Sequence, residues 1–190
     1  MLIGLTGPNA AGKGEVAALL ARRGFAVHSL SDVVRRAAAR RGLAPDRETL
    51  IALGREMRKA GGPGVLAEAL VEDLEERAVV DSIRHPAEVA VLRRRPDFRL
   101  LGIDAPVEVR WRRARRRGRP GDDVTLDTFL AQEAEENRSS PTSQQLLRTL
   151  AEADAVVRND GSLARLEGLV LRILSVWEKE AALTPGGARS

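Results

Sequence analysis

The sequence has no cysteine and two histidines among its 190 residues. Disulfide bonds and thiolate metal sites are therefore excluded, and two histidines are too few for a zinc site of the usual kind. Aromatic residues make up 3% of the chain. The chain therefore has few rings on which the bases of a single-stranded nucleic acid could stack, which argues against a nucleic-acid partner.

Long apolar runs are also missing, and none approaches the roughly 20 residues that a membrane helix needs. The apolar start of the chain has no basic segment before it, and Gly7 and Pro8 interrupt it at once. We therefore expect neither a signal peptide nor a membrane partner, and a cytoplasmic location.

Apolar residues make up 43% of the chain and the net charge is +4. That composition is typical of a folded protein, and the length suits one domain. We expect this domain to cover residues 1–180 and residues 181–190 to form a flexible tail. Nearly all basic residues are arginine, which makes the three lysines, Lys13, Lys59 and Lys179, more informative.

Short apolar segments alternate with helical patterns along the whole chain. Continuously apolar strands separated by helices indicate a parallel sheet that is covered on both faces. The predicted fold is a three-layer α/β/α fold with a five-stranded parallel sheet. The predicted strands are Leu2–Thr6, Phe25–Ser29, Ala78–Asp81, Phe98–Ile103 and Ala155–Arg158.

The segment from Gly7 to Lys13 has the spacing G-x-x-x-x-G-K, between the first predicted strand and the first predicted helix. Glycines let such a loop turn its N–H groups toward phosphate oxygens, and the helix N-terminus and the lysine favour the same anion. An ordinary glycine-rich turn is the alternative, but the strand, the lysine and the helix favour phosphate binding. The candidate nucleotide-binding residues here are Gly7, Asn9, Ala10, Ala11, Gly12, Lys13, Gly14 and Glu15.

Gly14 stands where a P-loop usually has a hydroxyl residue. Magnesium should therefore be bound mainly by the phosphates of ATP, by water and by acidic residues elsewhere. Glu15 follows, and it either points to solvent or helps to order magnesium-bound water.

The run Gly12-Lys13-Gly14 resembles the adenylate kinase-like nucleoside monophosphate kinases, which normally have threonine where this chain has Glu15. Ser31-Asp32-Val33-Val34-Arg35 resembles the helix with which these kinases bind the acceptor phosphate, and Asp81-Ser82-Ile83-Arg84 resembles their third-strand motif. The resemblance implies acceptor-phosphate binding by Arg35 and Arg84. It also implies that Asp81 binds magnesium through water.

Two other segments resemble dephospho-coenzyme A kinases and their uncharacterised archaeal relatives. Arg117-Gly118-Arg119-Pro120-Gly121-Asp122-Asp123 lies in the position of their short lid, and residues 153–163 are similar to their last strand and the turn over the donor base, with Asn159 in that turn. In those kinases an aspartate after strand two is the catalytic base, and Asp32 is the matching residue here. Together these resemblances imply a P-loop kinase fold, acceptor-binding helices at about residues 31–76 and an arginine-rich lid at about residues 112–124.

Residues 110–119 form the strongest charge run. Arg113 and Arg117 lie four apart, as do Arg112 and Arg116, so either pair shares one helical face and could bind the transferring phosphoryl group as a lid. A nucleic-acid patch and a solvated helix face are the alternatives. Arg58, with Arg55, could extend the acceptor pocket or lie on the surface.

Position supports a common site. Gly7, Asp32, Asp81, the arginine run and Asn159 follow the predicted strands at their carboxyl ends. Ligands of open α/β sheets bind at that edge.

The sequence therefore predicts a phosphotransferase that uses ATP with Mg²⁺. A nucleoside or deoxynucleoside monophosphate is the favoured acceptor, and dephospho-coenzyme A is the alternative. A nucleotide-dependent switch or nucleic-acid-stimulated ATPase is the third hypothesis. Lys13, Asp32, Asp81, Arg113 and Arg117 are the candidate catalytic residues, and Asp32, Arg35, Arg58 and Arg84 the candidate acceptor-binding residues. Monomer and homodimer both remain open.

Overall fold

The computed structural model describes residues 1–119, 121–137 and 144–183. Within these ranges the strands are β1 (Leu2–Thr6), β2 (Ala26–Ser29), β3 (Ala78–Ile83), β4 (Phe98–Asp104) and β5 (Ala155–Arg158). The helices there are α1 (Lys13–Arg22), α2 (Leu30–Arg40), α3 (Arg47–Gly61), α4 (Val65–Val71), α5 (Pro86–Leu92), α6 (Val107–Arg117), α7 (Leu126–Glu136), α8 (Leu146–Ala151) and α9 (Leu163–Leu183).

The strands form one parallel sheet in the order β2-β3-β1-β4-β5. The predicted α/β fold with a five-stranded parallel sheet is therefore confirmed for the part of the chain that is described. The central position of β1 places the start of α1 and the loop before it in the middle of the carboxyl edge of the sheet.

The core lies in two layers because successive side chains of a strand point to opposite faces. Leu2, Val80 and Leu100 pack with α2, α3, α4 and α5 on one face. Ile3 and Leu101 pack with α1 and α9 on the other face. Helices therefore cover both faces of the sheet. The ends of the strands remain as the place for a binding site.

A β-bulge interrupts β3 beside β1. Gly4 pairs with Val80 and Thr6 with Ile83, so β3 carries one more residue than β1 over this stretch. The Thr6 hydroxyl closes the bulge by donating to the Ile83 carbonyl at 2.9 Å. The prediction that β3 ends at Asp81 was therefore wrong by two residues, because the bulge lets the strand continue through Asp81 and Ser82.

Helix α9 continues to Leu183, three residues into the predicted tail. Glu178, Lys179, Glu180, Ala181 and Ala182 are good helix formers, which accounts for the longer helix. Residues 184–190 of the predicted tail and Pro120 of the predicted lid lie outside the described residues.

Candidate active site at the carboxyl edge of the sheet

The loop between β1 and α1 has a backbone that glycine makes possible at two positions. Gly7 has φ of 134°, and a Cβ there would lie 1.9 Å from the Ile103 carbonyl oxygen. Gly12 has φ of 112°, and a Cβ there would lie 2.3 Å from the Asn159 amide nitrogen. Side chains at either position would push the loop away from β4 and β5. Both glycines are therefore required by close packing as well as by backbone conformation.

Lys13 begins α1, and its side chain turns back over the loop. Its Nζ donates to the Gly7 carbonyl at 2.7 Å and to the Pro8 carbonyl at 3.0 Å. This geometry concentrates positive charge at the N-terminus of α1, where backbone N–H groups also favour an anion.

The next two residues lie on the exposed first turn of α1. A Cβ at Gly14 would meet nothing within 4 Å. A larger side chain would therefore fit at this position, and lack of room is not the reason that a hydroxyl residue is missing. The exposed position of Glu15 fits the solvent-facing alternative of the two considered above.

Asn159 joins the phosphate loop to the two last strands. Its Nδ2 donates to the Ala11 carbonyl at 2.8 Å, and its backbone N–H donates to the Asp104 carbonyl at 2.6 Å. Arg113 donates to the Asn159 backbone carbonyl at 3.1 Å and to its side-chain oxygen at 3.3 Å. Asn159 therefore braces the loop and positions one arginine of α6. Partial burial, with a smaller contribution from Arg116, lowers the pKa of Arg113.

Arg117 extends from the end of α6 to the phosphate loop. Its Nη2 donates to the Asn9 side-chain oxygen at 3.2 Å. Its guanidinium also makes two bonds of 2.9 Å to the Asp122 carboxylate, whose side chain is 4% exposed. Asp122 lies in the predicted lid but was given no role from the sequence. The signal that could have found it is an acidic pair, Asp122-Asp123, directly after a run of arginines.

Arg113 and Arg117 thus bond to Asn159 and to Asn9 of the phosphate loop, whereas Arg115 of the same helix pairs with Asp123. Trp111 donates its ring N–H to the Val124 carbonyl at 2.8 Å and lies under Arg115. The ring is therefore engaged inside the lid segment, which favours the lid interpretation over a base-stacking surface.

Asp81 lies in the bulge of β3, on the strand next to β1. Its Oδ1 accepts the Ser82 backbone N–H at 2.6 Å. Asp32 lies in the first turn of α2, where Arg35 donates to its carboxylate at 2.6 Å and to the Ser31 hydroxyl at 2.8 Å. Asp32 and Arg35 therefore form a pair on one helix face, and both side chains are about half exposed.

A buried carboxylate contacts both Arg58 and Arg84. Glu88 is fully buried, and it accepts from Arg58 Nη2 at 2.8 Å and from the Arg84 backbone N–H at 2.8 Å. The Arg84 guanidinium donates to Gln144 at 3.0 Å. Sequence reasoning missed Glu88, because it is 30 residues from Arg58 in the chain and only tertiary packing joins them.

A cavity of about 270 Å³ opens between the phosphate loop, α2, α3 and the segment after α6. Its acidic lining residues are already bonded, Asp46 to Thr49 and Asp122 to Arg117. Leu30, Val34, Leu50 and Leu66 supply an apolar wall. Among the described residues, the basic side chains that line it are Arg35, Arg47, Arg58, Arg84, Arg117 and Arg119.

The structure therefore brings together Asn9, Arg35, Arg58, Arg84 and Arg117 around one cavity. Of the predicted phosphate-loop residues, Asn9 lines the cavity. Arg113 is bonded to Asn159, whose side chain bonds Ala11 of the loop. Lys13, Asp32 and Asp81 do not line the cavity. The described residues contain no group of three or more acidic or histidine side chains that could hold a metal ion, and none of the described helices is long and apolar enough to cross a bilayer.

Known proteins resemble the chain in sequence and in fold. Residues 6–130 match the family model of an AAA domain. A UPF0200 protein of Pyrococcus horikoshii is 33% identical over 192 residues, which cover 93% of this chain and 100% of that protein. A UPF0200 protein of Methanoculleus marisnigri is 32% identical over 181 residues, covering 90% of this chain and 96% of that protein.

Solved structures extend the likeness. A Thermus thermophilus protein is 27% identical with a TM-score of 0.60, and the match covers 93% of this chain and 97% of that one. Shikimate kinase from Bacteroides thetaiotaomicron is 19% identical with a TM-score of 0.61, covering 94% of this chain and 98% of that one. At 19% identity the likeness concerns the fold alone, and that fold is the predicted P-loop kinase fold.

Proposed function

The chain belongs to the AAA-domain family and to the UPF0200 proteins, and we propose that it is an ATP-dependent kinase whose acceptor is a nucleoside or deoxynucleoside monophosphate. The observation that carries this proposal is the cavity, which the phosphate loop shares with the acceptor-side arginines through Asn9 and Arg117. A donor phosphate bound to the loop and an acceptor phosphate bound to the arginines would thus lie next to each other at the rim of this cavity.

On the donor side, the loop N–H groups and Lys13 bind the phosphates of ATP, and Arg113 and Arg117 neutralise charge on the transferring group. Mg²⁺ fits the residues present. This ion favours one or two carboxylates together with phosphate oxygens and water, and Asp81 on the strand next to β1 supplies one carboxylate. When bound, Mg²⁺ supplies neutralisation of phosphate charge.

On the acceptor side, the contacts favour a phosphate over a hydroxyl acceptor. A hydroxyl acceptor needs a base that removes its proton, whereas a phosphate acceptor hardly does. The candidate base, Asp32, is paired with Arg35 and lies outside the cavity lining. Arg35, Arg58 and Arg84 line the cavity and suit an anion. Asp32 is therefore proposed to orient Arg35.

The test is a panel of acceptors with radiolabelled ATP and Mg²⁺. The panel contains the ribo- and deoxyribonucleoside monophosphates and dephospho-coenzyme A. We expect transfer to at least one monophosphate, and we expect Arg84→Ala to lower kcat/KM for that acceptor about 10- to 100-fold, which corresponds to one charge-assisted hydrogen bond. Arg172→Ala, the same change on the exposed side of α9, is the matched control.

Two results would contradict the proposal. Turnover of dephospho-coenzyme A with every monophosphate inert would identify the hydroxyl acceptor and restore Asp32 as a base. Hydrolysis of ATP that is stimulated by polynucleotide, with no acceptor used, would favour the nucleic-acid-dependent ATPase. A rate of ATP hydrolysis that does not change when DNA or RNA is added would count against that third hypothesis.

A further inference from the structure

Ser82 has a backbone conformation that favours glycine. Its φ is 67°, and Ala10 of the phosphate loop is the other non-glycine residue with positive φ in the described part of the chain. A residue with a Cβ is strained in this region, and glycine is not. Such strain is typical of functional sites, where the surrounding structure imposes it. A serine at this position therefore needs a reason that lies in its hydroxyl.

The bulge in β3 explains where that hydroxyl is placed. Bulges next to active sites redirect a side chain relative to the regular strand. Ser82 is one of the residues that line the cavity, with Arg35 and Arg84. The Ser82 backbone N–H meanwhile donates to Asp81 at 2.6 Å, which fixes the turn.

Two serine hydroxyls, those of Ser31 and Ser29, connect Arg35 to Ser82. Arg35 Nη1 donates to Ser31 Oγ at 2.8 Å, Ser31 and Ser29 Oγ are 2.9 Å apart, and Ser29 Oγ donates to Ser82 Oγ at 3.2 Å. Each hydroxyl has one hydrogen. Since Ser29 uses its hydrogen on Ser82, Ser31 must be the donor to Ser29. The chain therefore runs in one direction, from the guanidinium to Ser82.

The last hydrogen of this chain is the one on Ser82 Oγ. No bond from it to another of the described residues is present in the structure. A chain of hydrogen bonds that starts at a cation polarises each member in turn, so the terminal O–H is a strengthened donor. A donor of this kind beside two arginines suits an oxyanion.

A purely structural role accounts for Ser82 less well. Its bond to Ser29 joins β2 to β3, but the backbone already pairs these strands at Ser29 and Asp81. Glycine would allow the same turn and the same N–H bond to Asp81. Neither the bulge nor the sheet therefore requires the hydroxyl.

We infer that Ser82 is an acceptor-binding residue, whose hydroxyl donates a hydrogen bond to a phosphate oxygen of the acceptor beside Arg35 and Arg84. This inference rests on the proposed function for the identity of the acceptor. It adds a neutral donor to a site otherwise built from arginines, and it gives Ser29 and Ser31 the role of orienting that donor.

The test compares Ser82→Gly and Ser82→Ala with the parent protein. Both variants lack the hydroxyl, but only glycine relieves the backbone strain. The phosphate loop is first saturated with a non-hydrolysable ATP analogue, and inorganic phosphate is then titrated by calorimetry. We expect both variants to bind phosphate about tenfold more weakly, with analogue affinity unchanged. We also expect Ser82→Gly to melt no lower than the parent protein.

Three outcomes would overturn the inference. They are unchanged phosphate affinity in both variants, weakening in Ser82→Ala but not in Ser82→Gly, and no phosphate binding by the parent protein. The panel of acceptors with radiolabelled ATP tests the proposed function independently of this titration. If no monophosphate were turned over while phosphate binding still depended on the hydroxyl, the proposed function would fail and the oxyanion contact would stand.

Discussion

Two carbonyl oxygens of the phosphate loop accept hydrogen bonds from Lys13, at 2.7 Å from Gly7 and 3.0 Å from Pro8. The ammonium thus lies over the curve of the loop, where a phosphate chain would come close to it. Its charge has two consequences at this scale. It stabilises the turn, and it gives the loop a cation that can stay in contact with the terminal phosphates of ATP during transfer.

We predict that Lys13→Ala weakens ATP binding about 10- to 100-fold, because the variant loses a hydrogen bond between two charged groups. Calorimetric titration of ATP with Mg²⁺ measures the affinity. Circular dichroism checks that the helices and the sheet are unchanged.

Lys179→Ala is the matched control, because it makes the same change on the exposed surface of α9. It should bind ATP as the parent protein does. An equal shift of the melting temperature by ATP in parent and Lys13→Ala proteins would contradict the assignment of the phosphate loop.

At the scale of elements, α6 and the segment after it form a unit that is organised by one carboxylate. Asp122 accepts two bonds from Arg117 and one from the Arg119 backbone N–H at 3.1 Å. A bidentate pair of this kind fixes both the position and the plane of a guanidinium. In the structure Arg117 reaches Asn9 in the orientation that its pair with Asp122 fixes.

We predict that Asp122→Asn lowers kcat for phosphoryl transfer about tenfold and changes the KM for ATP less, because Arg117 would lose its orientation rather than its charge. Steady-state kinetics with the acceptor found in the panel measures both constants. Asp123→Asn is the control, since that side chain is 88% exposed and pairs with Arg115.

A double-mutant cycle tests whether the effect passes through Arg117. Asp122→Asn combined with Arg117→Lys should be no slower than the slower single variant, because both changes disturb one pair. Additive losses would show that Asp122 acts through another residue.

The elements also show which parts of the site could be predicted from the sequence. The phosphate loop could be predicted because its glycines, its lysine and the flanking strand and helix lie in one continuous stretch. Arg113 and Arg117 could be predicted as a pair because helical spacing relates them. In both cases the local chain contains the whole pattern.

Ser82, Glu88 and Asp122 could not be assigned in this way. The bulge that displaces Ser82 depends on the register between β3 and β1, which are more than 70 residues apart in the chain. The burial of Glu88 depends on its ion pair with Arg58 of α3, which is distant in the chain. The sequence identified Asp81 but placed it at the end of its strand, because a bulge leaves no simple periodicity to read.

On the scale of the whole molecule, the carboxyl and amino ends of the strands differ in what they contain. The carboxyl edge carries the phosphate loop and the cavity. At the amino edge, Arg95 donates to the Glu75 carbonyl at 2.9 Å and the Glu76 carbonyl at 3.1 Å, just before β3. The same guanidinium donates to both oxygens of Asp97, just before β4. This cluster joins the starts of two strands far from the candidate site.

Asp97 makes the stability that the fold gains from this cluster dependent on pH. The Arg95 guanidinium is the main cause that lowers the pKa of Asp97 from 3.8 to about 2 in the folded protein. A carboxyl whose pKa falls on folding stabilises the fold above its unfolded pKa, and that stabilisation is lost as the pH falls through the folded value. The relevant window is therefore from about pH 4 down to about pH 2.

We predict that Asp97→Asn lowers the melting temperature at pH 7 by about 1–4 °C, the size expected for a partly exposed ion pair in a domain of this length. The difference from the parent protein should shrink as the pH falls from about 4 toward about 2, because the parent carboxyl also becomes neutral. Calorimetric melting over that range measures the difference. Phosphoryl transfer at pH 7 and 25 °C should stay unchanged, since the cluster lies at the opposite edge from the phosphate loop. A difference in melting temperature that persists at pH 2, or a loss of transfer activity in the folded variant, would contradict this separation between the two edges.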